Sequence, residues 1–116
     1  MYYELNKREK KIARQLIDKG LDVAYANALA AAGAIIENWR NLKPANRDTY
    51  LALYKEIDKH NEAIALRYNS LGGSKYLGVV VELFTEKIIT QIDIDDFSDE
   101  TKQVINKWSK LIDDEF

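Results

Sequence analysis

The stretch IARQLIDKGLDVAYANALAAAGAIIENWRNLKP, residues 12–44, decides the fold, because it reads either as one long helix or as two. Gly20 offers a stop in its middle. Leu21 supplies the apolar contact of a glycine cap, and Asp22 suits the start of a new helix. Against a stop, the row Ala13, Ile17, Gly20, Ala24, Ala28, Ala31, Ile35, Trp39, Leu42 never loses helical phase. The reading adopted is a long first helical region, broken or kinked near Gly20. Pro44 closes it, since the residue before a proline is pushed out of the helical conformation.

Upstream, Leu5, Ile12, Ala13, Leu16 and Ile17 share one face, with Lys7, Lys10, Lys11 and Arg14 around it. Downstream, Asn46 is the expected cap of a second helix that runs to Tyr68 or Asn69. A third helix is expected from Tyr76 to Gln91, apolar nearly all round and therefore central. Thr90 and Asp93 fit a capping box that opens one short turn. Ser98 caps a last helix with Asp99 and Glu100 in its first turn, where the helix dipole favours carboxylates. That helix is expected to bury Val104, Ile105, Trp108, Leu111 and Ile112. One proline and five glycines in 116 residues leave few breakers, so the class is all-α. The expected architecture is a compact bundle of four to five helices, with residues 1–116 as a single domain.

Composition bounds the function. With 47% hydrophobic and 31% charged residues the chain is globular. A net charge of -2 gives no global pull toward nucleic acid or an anionic membrane. The absence of cysteine excludes disulfides, thiolate zinc sites and a cysteine nucleophile. MYYELNKREKK places charges where a secretion signal needs an apolar core, and the longest uncharged run, Val23 to Ile36, is too short to span a bilayer. A cytoplasmic protein without membrane contact is the expectation.

The residues 67–84, RYNSLGGSKYLGVVVELF, carry two glycines, a serine and a lysine ahead of an apolar run. A phosphate-binding P-loop needs glycine before its lysine and a strand before its loop, and neither is present. The stretch reads as a corner: Gly72 or Gly73 ends one helix and Ser74 caps the next. The acidic run DIDDFSDE, residues 93–100, fails as a calcium loop, with Phe97, Ser98 and Val104 at three defining positions. His60 is the single histidine, with Glu56 one turn earlier. No Glu-x-x-His exists for a di-metal bundle, and no serine–histidine–aspartate set is available around it. No metal, cofactor or catalytic activity is expected. ANALAAAGAIIENWRN does not fit helix-turn-helix spacing around Gly20 or Gly33.

Two features point instead to interaction. Tyr50, Tyr54, Ile57, Asn61, Ile64, Tyr68 and Leu71 alternate spacings of four and three, the signature of a heptad seam with Asn61 at a register-setting position. A bundle interior uses the same spacing, so the seam reads either way. Ala24, Ala28 and Ala32 lie on one face and Ala26, Ala30 and Ala34 beside it, with Gly33 between and Trp39 at the rim. The candidate interface is therefore Tyr50, Tyr54, Asn61, Tyr68, Ala28, Ala32 and Trp39.

Charge is uneven: residues 1–19 carry six Lys/Arg against three acids, and residues 91–116 three against eight. Antiparallel pairing of the first and last helices, or head-to-tail contact between subunits, would bring the two ends together. Lys7, Arg8, Lys11, Arg14, Arg67 and Lys75 are the candidate anion or phosphate contacts. The expected function is a non-catalytic protein-interaction or regulatory module that self-associates. The alternative is a nucleic-acid-associated accessory protein using the basic N-terminal face.

Overall fold

A computed structural model describes residues 3–115 of the chain. The order is α1 (Lys7–Leu42), α2 (Asn46–Tyr68), a 3-10 turn (Gly73–Lys75), α3 (Tyr76–Thr85) and α4 (Asp99–Glu115), with no strand among the described residues. The all-α class and the long first helical region hold. A break at Gly20 does not: α1 is helical without interruption through it, and Gly20 is buried inside the helix. A glycine inside a helix costs roughly 0.5–1 kcal/mol relative to alanine. The apolar row that keeps its phase on both sides outweighs that cost.

Gly20 still marks a boundary. The chain divides into two compact units, one of residues 1–20 with 70–116 and one of residues 21–69, so α1 contributes to both.

In the first unit Leu5, just ahead of α1, and Ala13, Leu16 and Ile17 in its early turns are buried as expected, with Ile12 half-buried. α3 and α4 pack most closely of all the helices. α3 is apolar nearly all round, with Glu82 exposed, and Leu77, Val79, Val80, Val81 and Leu83 are buried. It ends at Thr85, well short of the expected Gln91. Lys87 takes a left-handed φ of 63°. Its N–H donates to the Phe84 carbonyl at 3.1 Å, and the Ile88 N–H donates to the Leu83 carbonyl at 3.0 Å. These are the two bonds of a Schellman cap, formed around lysine rather than glycine.

The chain then crosses in tight turns. Asp93 accepts hydrogen bonds from the Thr90 N–H at 2.7 Å and its hydroxyl at 3.2 Å, the carboxylate half of the expected capping box, but turns rather than helix follow. Ile89, Ile94 and Phe97 are buried along this path.

Glu9, only 2% exposed, joins two helix starts. Its N–H donates to the Asn6 side chain at 2.8 Å, which caps α1. Its carboxylate accepts the Ser98 N–H and hydroxyl, both at 3.2 Å, at the start of α4. Burial pushes the Glu9 carboxyl up, but hydrogen bonds from Thr101, Ser98 and the Asn6 backbone outweigh it and hold the group below its ordinary range. Ser98 caps α4 as expected, through the Thr101 N–H at 3.2 Å. On α4 Thr101, Ile105 and Ser109 are buried, and Val104, Trp108 and Ile112 are half-buried. Leu111 departs from expectation and is exposed.

In the second unit a three-residue link, Lys43–Ala45, joins α1 to α2 as an αα-hairpin. Lys43, the residue before Pro44, leaves the helical region as expected but into a left-handed φ of 50°. Asn46 is not a cap: α2 starts after Ala45 with no side-chain cap. The Asn46 side-chain oxygen Oδ1 accepts the Trp39 indole N–H at 2.8 Å instead, tying the two ends of the link together.

Candidate functional site

The unit of residues 21–69 has no buried residue. α1 and α2 each carry a half-buried row: Ala24, Ala28, Ala31 and Ile35 on α1, and Leu53, Ile57, His60 and Ile64 on α2. These rows are the period-3.5 stripes of an ordinary helix pair. At the turn end an apolar groove of about 410 Å³ is lined by Ala34, Ile35 and Asn38 of α1, Pro44, and Asp48, Thr49 and Ala52 of α2.

One position C-terminal to each row lies a second, more exposed row. On α1 it holds Tyr25, 51% exposed, and Leu29, 71% exposed, with Ile36 half-buried. On α2 it holds Tyr50, 70% exposed, Tyr54, 65% exposed, and Asn61. One residue is about 100° around a helix. In two helices that run in opposite directions, the same rotation away from the half-buried rows turns both exposed rows to the same side. The hairpin therefore presents one face made of tyrosine, leucine and small side chains.

The expected tyrosine seam is thus divided by the structure. Ile57, Ile64, Tyr68 and Leu71 are half-buried, whereas Tyr50, Tyr54 and Asn61 are exposed. Of the other candidate interface residues, Ala28 and Ala32 are half-buried, and Trp39 is exposed on its face while its N–H is held by Asn46. Gly33 lies open, with nothing near the place a methyl group would occupy. His60 faces Glu56 at 3.1 Å, and this hydrogen bond, with Lys59 nearby, holds the Glu56 carboxyl below its ordinary range. The row Tyr25, Leu29, Ile36 escaped the sequence reading, although its spacing of four and seven was visible beside the alanines.

The candidate anion contacts separate. Lys7, Arg8, Lys11 and Arg14 are all exposed on the start of α1. Arg8 donates to the Asp96 carbonyl at 2.9 Å, and Arg14 donates to the Tyr76 hydroxyl at 3.3 Å and pairs with Asp18 at 3.4 Å. Lys19 binds both Asp93 carboxylate oxygens at 3.1 Å. The Thr90 N–H foremost, with Lys19, keeps the Asp93 carboxyl below its ordinary range. Of these contacts, Lys19–Asp93 joins α1 to an acidic side chain in the turns before α4, whereas Arg8 reaches a backbone carbonyl there and Arg14 pairs within its own helix. Lys75 sits in the 3-10 turn and is exposed; Arg67 is half-buried near the end of α2.

Ser74 lies inside that 3-10 turn and caps nothing; the turn is preceded by Gly72, with no side-chain cap. The glycine-rich stretch links α2 to the 3-10 turn, and neither Gly72 nor Gly73 ends a helix: α2 stops at Tyr68, and Ser70 supplies the left-handed residue at φ 56°. Among the described residues no group of acidic or histidine side chains is arranged to hold a metal, and no helix is long and apolar enough to cross a membrane. Comparison with protein-family models, with curated proteins and with solved structures found no match to this chain.

Proposed function

We propose that the protein is a non-catalytic helical interaction module, and that residues 21–69 are the part that meets another polypeptide. One observation carries this reading. Of the ten large apolar side chains exposed among the described residues, eight, Tyr25, Leu29, Trp39, Leu42, Tyr50, Leu51, Tyr54 and Leu66, belong to this unit, and Ile92 and Leu111 to the other. Single exposed apolar residues are ordinary on a soluble protein, but a contiguous row rich in tyrosine is the composition of an interface. Tyrosine suits both states, since its ring buries well and its hydroxyl stays hydrated when the face is free.

The alternative, phosphate contact through the start of α1, is weakened because Arg8 and Arg14 already have partners within the chain.

Site-specific photo-crosslinking in cells tests the reading. With p-benzoylphenylalanine in place of Tyr54, discrete adducts to polypeptide are expected. The same group in place of Ser74, exposed in the other unit, is expected to give none. Absence of adducts from Tyr54, Tyr50 and Tyr25 alike rejects the module.

A further inference from the structure

We propose that the occupant of the hairpin face is a second copy of this chain, bound through the same face in an antiparallel two-fold arrangement. The proposal rests on the interaction-module reading and names its partner.

Charge along the face supports a self-complementary contact. The α1 row runs Asp22, Tyr25, Leu29, Gly33, Ile36, Arg40, in steps of three and four residues. The α2 row runs Arg47, Tyr50, Tyr54, Asp58, Asn61 in the same manner. Asp22, Arg40, Arg47 and Asp58 are all exposed. Because the link joins residues 42 and 46, Arg40 and Arg47 both lie at the turn end, whereas Asp22 lies at the far end of the α1 row and Asp58 midway along α2. A two-fold axis perpendicular to the helices sets the turn end of one copy against the far end of the other, so each basic end meets the end that carries Asp22. A parallel arrangement would set like against like. Residues 21–69 carry six basic and six acidic residues, so no net field opposes a copy, and none favours a polyanion or a strongly acidic protein.

The area is of the right size. An aromatic side chain presents 150–250 Å². Three tyrosines exposed by half or more offer roughly 280–470 Å², and Leu29, Ile36, the small residues between them and the charged ends of the rows extend the face toward the roughly 800 Å² that each partner brings to a stable interface. Two hairpins also make four helices, the number at which the rows gain a shared interior. In that setting Asn61 sits on the contact as the polar residue that sets register.

The test is light scattering of the full chain over a dilution series, with three variants. Leu29→Lys and Tyr54→Lys place a charge on the face without touching a buried position. Leu66→Lys is the control, since Leu66 is 89% exposed and lies off both rows. The expected result is twice the chain mass for the parent and for Leu66→Lys. Each face variant should raise the dimer dissociation constant at least about 30-fold, as loss of a central interface side chain does, with unchanged helical circular dichroism. A parent that stays monomeric throughout overturns the proposal, as does a dimer equally weakened by Leu66→Lys or untouched by both face variants.

A parallel measurement of hydrophobic dye binding separates this failure from that of the broader reading. A monomer whose dye signal disappears in Tyr54→Lys retains an open face and therefore a different partner. A monomer that binds no dye has no such face, and the module reading falls with the dimer.

Discussion

Residues 3–20 with 70–115 and residues 21–69 use the same helical patterning with opposite results. The first region takes Leu5, Ala13, Leu16, Ile17, Leu77, Leu83, Ile94 and Ile105 out of water and pairs its buried Glu9, Thr101 and Ser109 with hydrogen-bond partners. The second places apolar residues just as regularly and buries none of them. In the first, α3 is surrounded on most of its circumference, so even adjacent Val79, Val80 and Val81 are covered. In the second, each helix has one neighbour, and a single neighbour covers only a stripe. An amphipathic pattern therefore states which residues seek cover, and the number of neighbours decides whether they find it.

The largest expected effect separates the two regions directly. Leu83→Ala, at a fully buried position, should lower stability by about 2–5 kcal/mol in urea denaturation, the range for truncating a core leucine. Leu66→Ala, at 89% exposure, should change it by no more than about 0.5 kcal/mol. Equal costs would break the comparison.

A second measurement concerns the carboxylates. Glu9→Gln should cost about 1–3 kcal/mol, because it weakens a buried acceptor for both helix starts. Since the folded Glu9 carboxyl titrates below the ordinary glutamate value of 4.5, its contribution is complete above that value and is lost as pH falls through the lower folded one. The melting temperatures of parent and variant should therefore converge in acid and stay apart at neutral pH. Glu56→Gln should change the melting temperature much less than Glu9→Gln, since the bonds of Glu56 to His60 and Lys59 are open to solvent and screened by it. A gap for Glu9→Gln that persists below pH 2 would show that shape rather than charge matters there.

Backbone positions give smaller effects. Lys87→Gly should raise stability by about 1 kcal/mol, because the left-handed conformation is costly for a residue with a side chain and free for glycine. Chemical denaturation reads it, and a loss would mean that the Lys87 side chain makes a contact worth more than the strain. Smaller still, Gly78→Ala and Gly33→Ala should each gain about 0.5–1 kcal/mol, since both are helical and an added methyl meets nothing within 4 Å. The gain at Gly78 should appear in global unfolding and the gain at Gly33 in hydrogen exchange of residues 21–69. If both appear only globally, the two regions unfold as one.

Much of this was legible from local chemistry. The Ser98 cap, the end of α2 at Tyr68 and the buried face of the first turns follow from residue types that act on their immediate neighbours. The end of α3 was not, because a Schellman cap normally announces itself by glycine and here holds Lys87. Asn46 misled for a related reason: a good capping side chain serves as acceptor for Trp39, an alternative visible only once the link has folded. Asn6 and Glu9 form a capping box whose spacing was readable, but nothing local indicated that the same carboxylate reaches Ser98, 89 residues away.

By itself, then, the sequence determined the all-α class, most helix positions and the apolar stripe of each helix, because hydrogen bonding within a turn and 3.6-residue periodicity are properties of short segments. Only the tertiary structure decided which stripes are covered. Burial depends on how many helices surround a given one, and that number is set by contacts between residues far apart in the chain. That is why the valines of α3 lie inside while Tyr25, Leu29, Tyr50 and Tyr54 remain in water.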